Sequence, residues 1–173
     1  MNNRLFLNIL RFIGLALLQV MVIDNIRLGY YIHPCVYVLF IFLLPFNIPQ
    51  WQLLLTGFAM GFTIDIFNGT PGLNAAATVL LAFIRPMIIN AMTRRKDINP
   101  NDEPSIRNMG VSWFLVYSSL LLCFHNLTLF ALEAFSIKLM NKVILQTLLS
   151  VISSLSIILL IVLIFKKNHR KTL

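Results

Sequence analysis

Residues 143–165 read VILQTLLSVISSLSIILLIVLIF and run directly into Lys166-Lys167-Asn168-His169-Arg170-Lys171. About 20 mostly apolar residues in a helix cross a hydrocarbon core of about 30 Å, so this run is long enough to span a bilayer. Working back along the chain, comparable runs occupy 5–23, 28–46, 51–67, 73–92 and 109–134. The expected fold is an all-α integral membrane protein with about six transmembrane helices in one compact bundle, a single domain over 1–173.

Local signals set the boundaries. The first run leaves through Gln19-Val20-Met21-Val22-Ile23-Asp24, which lacks the small-residue exit of a cleaved signal peptide, so it reads as a retained helix. Pro34 and Pro45 sit near the two ends of the second run, where proline does least harm to a helix. Trp51 suits an interfacial anchor at the start of the third. Asn68-Gly69-Thr70-Pro71-Gly72 makes a tight turn before the fourth.

Composition supports the same solvent. The chain is 58% hydrophobic and 12% charged, against about 45–50% and about 25% in ordinary globular domains. A soluble fold of this size cannot hide that much apolar surface. The net charge of +8 does not mark a nucleic-acid binder, which needs a contiguous basic footprint. The cations fall mostly at the chain ends and in a polar loop over 93–108, where Arg94, Arg95, Lys96 and Arg107 are interleaved with Asp97, Pro100, Asp102, Glu103 and Pro104. That loop reads as a solvated connector, with a handle for a partner as the rarer alternative.

With six spans, one side receives Arg4, Arg94, Arg95, Lys96, Arg107, Lys166, Lys167, Arg170 and Lys171, and the other only Arg27, Lys138 and Lys142. The positive-inside rule then places both termini, the 93–108 loop and the basic tail 166–173 in the cytoplasm. Cys35 and Cys123 lie alone in apolar stretches and read as small buried hydrophobes rather than metal ligands or a disulfide.

Polar residues inside the runs are the informative ones, because ionisable groups in lipid are costly. Gly57, Gly61 and Asp65 recur at four-residue spacing on one helix face. The two glycines form a GxxxG pair, which permits close backbone approach. Asp65 is expected to pair with Arg27 or with a polar group of another chain. Asn74, Thr78, Ala82 and Arg85 share a stripe in the next run, with Pro86 predicting a bend. Asn8, Arg11 and Gln19 mark a protein-facing arc of the first helix. Ser112, Ser119, Cys123 and Asn126 do so for the fifth, and Gln146, Ser150, Ser153 and Ser154 for the sixth. His125 reads as a hydrogen-bonded packing residue before a proton relay. The residues singled out for helix packing or partner contact are therefore Gly57, Gly61, Asp65, Asn74 and Arg85. No catalytic, cofactor or metal motif emerges, and an enzyme is not expected.

The segment Gly57-Phe58-Ala59-Met60-Gly61-Phe62-Thr63-Ile64-Asp65-Ile66-Phe67, continued by Asn68-Gly69-Thr70-Pro71-Gly72-Leu73-Asn74-Ala75 and on to Phe83-Ile84-Arg85-Pro86, resembles the signature of the rod shape-determining protein MreD family, in its Bacteroidota-type form. Pro71-Gly72-Leu73 departs slightly from the family's usual leucine-glycine-leucine entry to the helix. The resemblance implies a non-enzymatic, multi-pass subunit of the bacterial inner membrane that supports peptidoglycan synthesis and cell shape. It implies binding to MreC, with MreB and the RodA–penicillin-binding transpeptidase complex as direct or indirect partners. It also implies a fold similar to the substrate-binding components of energy-coupling-factor transporters. The competing expectation is a small-molecule carrier or a transporter subunit, with Asn74, Thr78 and Arg85 near the midplane. Membrane lipid is a partner on either reading, and no cofactor is expected.

Overall fold

The structure, a computed structural model, describes residues 2–26, 32–93, 102–135 and 139–168. Its elements in chain order are α1 (Asn2–Leu18), continued by a π-helical turn (Gln19–Ile23), then α2 (Leu39–Phe42), α3 (Gln50–Asn68), α4 (Leu73–Thr93), α5 (Ile106–Met109), α6 (Val111–Ala134) and α7 (Met140–Asn168). The described residues are helical or irregular, with no strand among them. Among the described residues, four stretches are long and apolar enough to cross a membrane: Leu5–Ile23, Leu73–Thr93, Val111–Ala134 and Met140–Ile164.

α3 matches the expected run 51–67 in extent but falls outside that set of four. Its two glycines, its threonines and Asp65 dilute an otherwise apolar helix. Large side chains remain exposed on its outer face, including Trp51, Leu55, Phe58, Phe62 and Ile66. α1 likewise exposes Leu5, Phe6, Ile9, Leu10 and Ile13, and α7 exposes Leu148, Ile152, Leu160 and Ile164. Large apolar residues thus face outward on every long helix, as expected where the surroundings are hydrocarbon.

The second expected span is corrected. Ile32–Val36 is not helical, and among the described residues the only α-helix between the first and third runs is the four-residue α2; 27–31 lie outside the described residues. The two prolines explain part of this, since the residue before each is steered away from the α region. Burial explains the rest. Cys35, Val36, Tyr37, Val38, Leu39, Phe40, Ile41, Phe42 and Leu44 are all buried and belong to one core cluster. A strip enclosed by protein on every side is apolar throughout whatever its backbone does, so its hydropathy does not reveal its conformation.

The fifth run is also revised at its start. Gly110, with φ 90°, breaks the chain between α5 and α6. The described end of the 93–108 loop is partly packed: Pro104 and Ile106 are buried, while Arg107 and Asn108 are exposed. Asp102 accepts a main-chain hydrogen bond from Phe46 at 3.1 Å, and Glu103 pairs with Arg11 at 2.9 Å. Residues 94–101, with Arg94, Arg95, Lys96 and Asp97, lie outside the described residues, as does the tail from 169.

Candidate functional site

The non-helical strip at the centre of the bundle raises an accounting question, because its main-chain donors and acceptors have no ladder or helix to satisfy them. Side chains from α1, α4, α6 and α7 do so. Gln19, presented by the π-helical turn, uses its full capacity: Nε2 donates to Pro34 O at 2.9 Å and to Asp24 Oδ1 at 2.6 Å. Its Oε1 accepts from Val36 N at 2.8 Å and Tyr37 N at 3.3 Å. Ser150 accepts from His33 N at 3.0 Å, and Ser154 from Cys35 N at 2.9 Å. At the far end Tyr117 donates to Phe42 O at 3.2 Å. The Arg85 guanidinium donates through Nη2 to Leu44 O and through Nε to Tyr117 Oη at 2.9 Å. The serines of the sixth run and Gln19 of the first were thus visible in sequence as protein-facing. What they face was not.

Arg85 is 1% exposed, and no carboxylate among the described residues is shown within ion-pair distance of it. Its contacts lie just beyond the C-terminus of α2, where carbonyls without helical partners accept from cations. The charge therefore closes the buried strip and does not snorkel to an interface.

Asp65 has the complementary task. It is 2% exposed and reaches from the last turn of α3 to the first turn of α4. Oδ1 accepts from Asn74 N and Asn74 Nδ2, each at 3.0 Å, and from the Thr70 hydroxyl. Oδ2 accepts from Ala75 N at 2.8 Å. Asn74 N and Ala75 N are two of the four donors that a helix start leaves unpaired, and a carboxylate there also meets the positive end of the helix dipole. Gly69, left-handed at φ 65°, ends α3 and turns the chain so that this cap forms. Asp65 thus finds four hydrogen-bond donors within its own chain; Arg27, its other expected partner, lies outside the described residues.

The GxxxG face is engaged within the chain. A Cβ on Gly61 would stand 2.5 Å from Asn74 O and 2.6 Å from Ala75 Cα. A Cβ on Gly57 would stand 3.0 Å from Ala82 Cβ and 3.2 Å from Thr78 O. α4 fills the groove that these glycines make, so that face is not open to a partner helix. Asn74, Thr78, Ala82 and Arg85 form one buried stripe on α4, as their spacing predicts, and the helix runs on through Pro86.

Asn74 joins the cap to the centre of the bundle. Its Oδ1 accepts from Tyr37 Oη at 3.1 Å, and Tyr37 Oη lies 2.9 Å from His125 Nε2. Thr78 donates to Asn74 O at 2.7 Å and stands 3.5 Å from His125 Nε2. Tyr37 was missed in sequence because it lies in the strip read as an ordinary span. On α6 the expected stripe holds only in part: Asn126, with His125 beside it, is buried as expected, but Ser112 is exposed, Ser119 half-buried, and Cys123 exposed rather than buried, while Ser118 lies inside. Cys35 is buried, as expected, and both thiols are free.

Outside the core, an open groove of about 830 Å³ runs along the outer face of α3 and α4. Leu54, Phe58, Phe62, Val79, Leu80 and Phe83 line it together with the small residues Gly72, Ala75 and Ala76. No cluster of three or more His, Cys, Asp or Glu side chains able to hold a metal occurs among the described residues. Comparison with protein-family models, curated proteins and solved structures gives no match.

Proposed function

We propose that the chain is a non-enzymatic subunit of the bacterial inner membrane that serves the rod-shape machinery, docking the transmembrane helix of an MreC-type partner in the α3–α4 groove. MreB and the RodA–penicillin-binding transpeptidase complex are then direct or indirect partners. On this reading the buried strip 32–46 is a sixth crossing, made without a full helix, and both termini are cytoplasmic. The resemblance of residues 57–86 to MreD supplies the family. The observation that carries the mechanism is that this same segment builds the groove: Gly57 and Gly61 hold α3 tightly on α4, and the small residues Gly72, Ala75 and Ala76 leave an open hollow beside Phe58, Phe62 and Phe83. Association of helices in lipid depends on close van der Waals packing, with interhelical hydrogen bonds averaging about 0.6 kcal/mol. An apolar hollow is therefore a sufficient receptor. Asp65 and Arg85 support it indirectly, by fixing the start of α4 and the strip behind it.

The test is Ala76→Phe, which fills the hollow from an exposed position. The variant should insert and melt like the parent, lose co-purification with MreC from native membranes, and fail to restore rod shape. Undiminished MreC recovery would overturn the docking mechanism.

A carrier is the second reading, favoured by one observation: irregular backbone deep in a helical bundle is typical of transporter sites. Against it, Gln19, Ser150, Ser154 and Arg85 already bond this chain's own main chain. Saturable solute uptake into vesicles containing the protein would favour the carrier.

A further inference from the structure

Among the described residues, five buried side-chain polar atoms lack a hydrogen-bond partner: Trp113 Nε1 near the start of α6 and, further along the α6–α7 pair, His125 Nδ1, Asn126 Oδ1, Asn126 Nδ2 and Thr147 Oγ1. His125 and Asn126 belong to α6 and Thr147 to α7, two helices packed against each other. Asn126 lies about eight residues before the end of α6 and Thr147 about seven after the start of α7. In an antiparallel hairpin rising about 1.5 Å per residue, that places both at nearly one height. Both are buried, at 0% and 4% exposure, and the Asn126 amide lies beside the His125 ring without meeting hydrogen-bond geometry.

The relay described above fixes which nitrogen of His125 carries the proton. Asp65, acting as a carboxylate, only accepts, so the Asn74 amide must turn Nδ2 toward it and Oδ1 toward Tyr37. Tyr37 has a single proton and gives it to Asn74 Oδ1, so at 2.9 Å from His125 Nε2 it must accept. Thr78 has likewise given its proton to Asn74 O. Nε2 is therefore the protonated nitrogen of the neutral ring, and Nδ1 presents a bare lone pair.

The unpartnered set on His125, Asn126 and Thr147 then comprises two acceptors (Nδ1 and Oδ1), one amide donor group and a hydroxyl that serves as either. A cation would meet the Asn126 N–H groups, and an anion would meet Oδ1 and the Nδ1 lone pair. A neutral molecule that both donates and accepts satisfies all of them, and buried water does this at sites with 2–4 polar partners. We propose that His125, Asn126 and Thr147 form a buried hydration site that holds ordered water between α6 and α7, with His125 held as the Nε2–H tautomer by the relay from Asp65. The site is independent of the docking groove, so the failure of either proposal leaves the other standing.

The test is nitrogen-15 magnetic resonance of histidine-labelled full-length protein in bilayers. His33→Gln and His169→Gln leave His125 as the only imidazole of the three. The expected result is a protonated Nε2, an unprotonated Nδ1, and polarisation transfer from water protons to Nδ1 and to the Asn126 amide. In the near-isosteric variant Thr147→Val that transfer should be lost while the protein still folds. A protonated Nδ1, or no transfer from water in the parent, would overturn the proposal. Transfer that persists unchanged in Thr147→Val would remove Thr147 from the site and overturn the arrangement as stated.

Discussion

Replacing Asp65 separates a structural carboxylate from one that lipid burial merely tolerates. Asp65→Ala strands two main-chain donors, Asn74 N and Ala75 N, in a closed contact between α3 and α4, and also frees Thr70 and the Asn74 amide. A buried donor left unpaired costs about 1–3 kcal/mol, and a hydrogen bond to a charged group contributes about 1.5–3 kcal/mol. Removing the carboxylate also removes its own desolvation cost, which offsets part of the loss. With two main-chain donors that cannot move away, the expected destabilisation is about 3–5 kcal/mol. Asp65→Asn keeps an acceptor at Oδ1 but turns an N–H toward Ala75 N, and should cost about 1–2 kcal/mol, near the usual loss of a helix cap. Equilibrium unfolding in mixed micelles gives the order parent, Asn, Ala. Hydrogen exchange at Asn74 and Ala75 should rise in both variants before exchange rises elsewhere in α4. An Asp65→Ala variant within about 0.5 kcal/mol of the parent, or an Asp65→Asn variant more stable than it, would refute the capping argument.

Among the described glycines, Gly61→Ala should be the most damaging on packing grounds, because its Cβ meets the backbone of α4 at 2.5 Å; Gly57→Ala, facing Ala82 Cβ at 3.0 Å, should be clearly milder, and paired melting curves read the difference. Gln19→Leu removes four bonds to the strip and its flank and should cost about 2–4 kcal/mol, with Ser154→Ala costing about 1 kcal/mol, both read by unfolding. Glu103→Gln breaks an ion pair whose side chains are each 35% exposed, and should change stability by no more than about 1 kcal/mol. A spin label on Cys123, in a Cys35→Ala background, should show the high oxygen accessibility of a lipid-facing position.

Five of the six expected runs correspond to long helices, because their polar residues cluster on one face or at the ends and periodicity reports that directly. The run 28–46 carried no such information. A segment enclosed on every side is apolar whether it is helical or extended, and the partners that hold it in place are distant in sequence. The α3–α4 pair was the most legible part of the site: four-residue spacing placed Gly57, Gly61 and Asp65 on one face, and Asn74, Thr78, Ala82 and Arg85 on another. The direction of their engagement was not legible, since a GxxxG pair packs equally well on its own chain or a partner. The α6 stripe was partly misjudged, because serines on a lipid-facing surface can bond their own helix, as Ser119 does to Val116 O at 3.0 Å. Hydroxyls alone therefore did not mark the inward face.

The strip through the centre of the bundle also constrains how the chain can be made. A membrane helix completes its own backbone bonds and can rest in lipid by itself, whereas irregular backbone is tolerated at that depth only when protein surrounds it. His33 N and Cys35 N find their acceptors on α7, 117 and 119 residues further on. If the strip crosses the bilayer as proposed above, it has no stable resting place in hydrocarbon until that last helix emerges from the ribosome. It must wait at the surface or in the insertion machinery and settle last, so a chain truncated before Ser150 should be a target for membrane proteases rather than a smaller bundle.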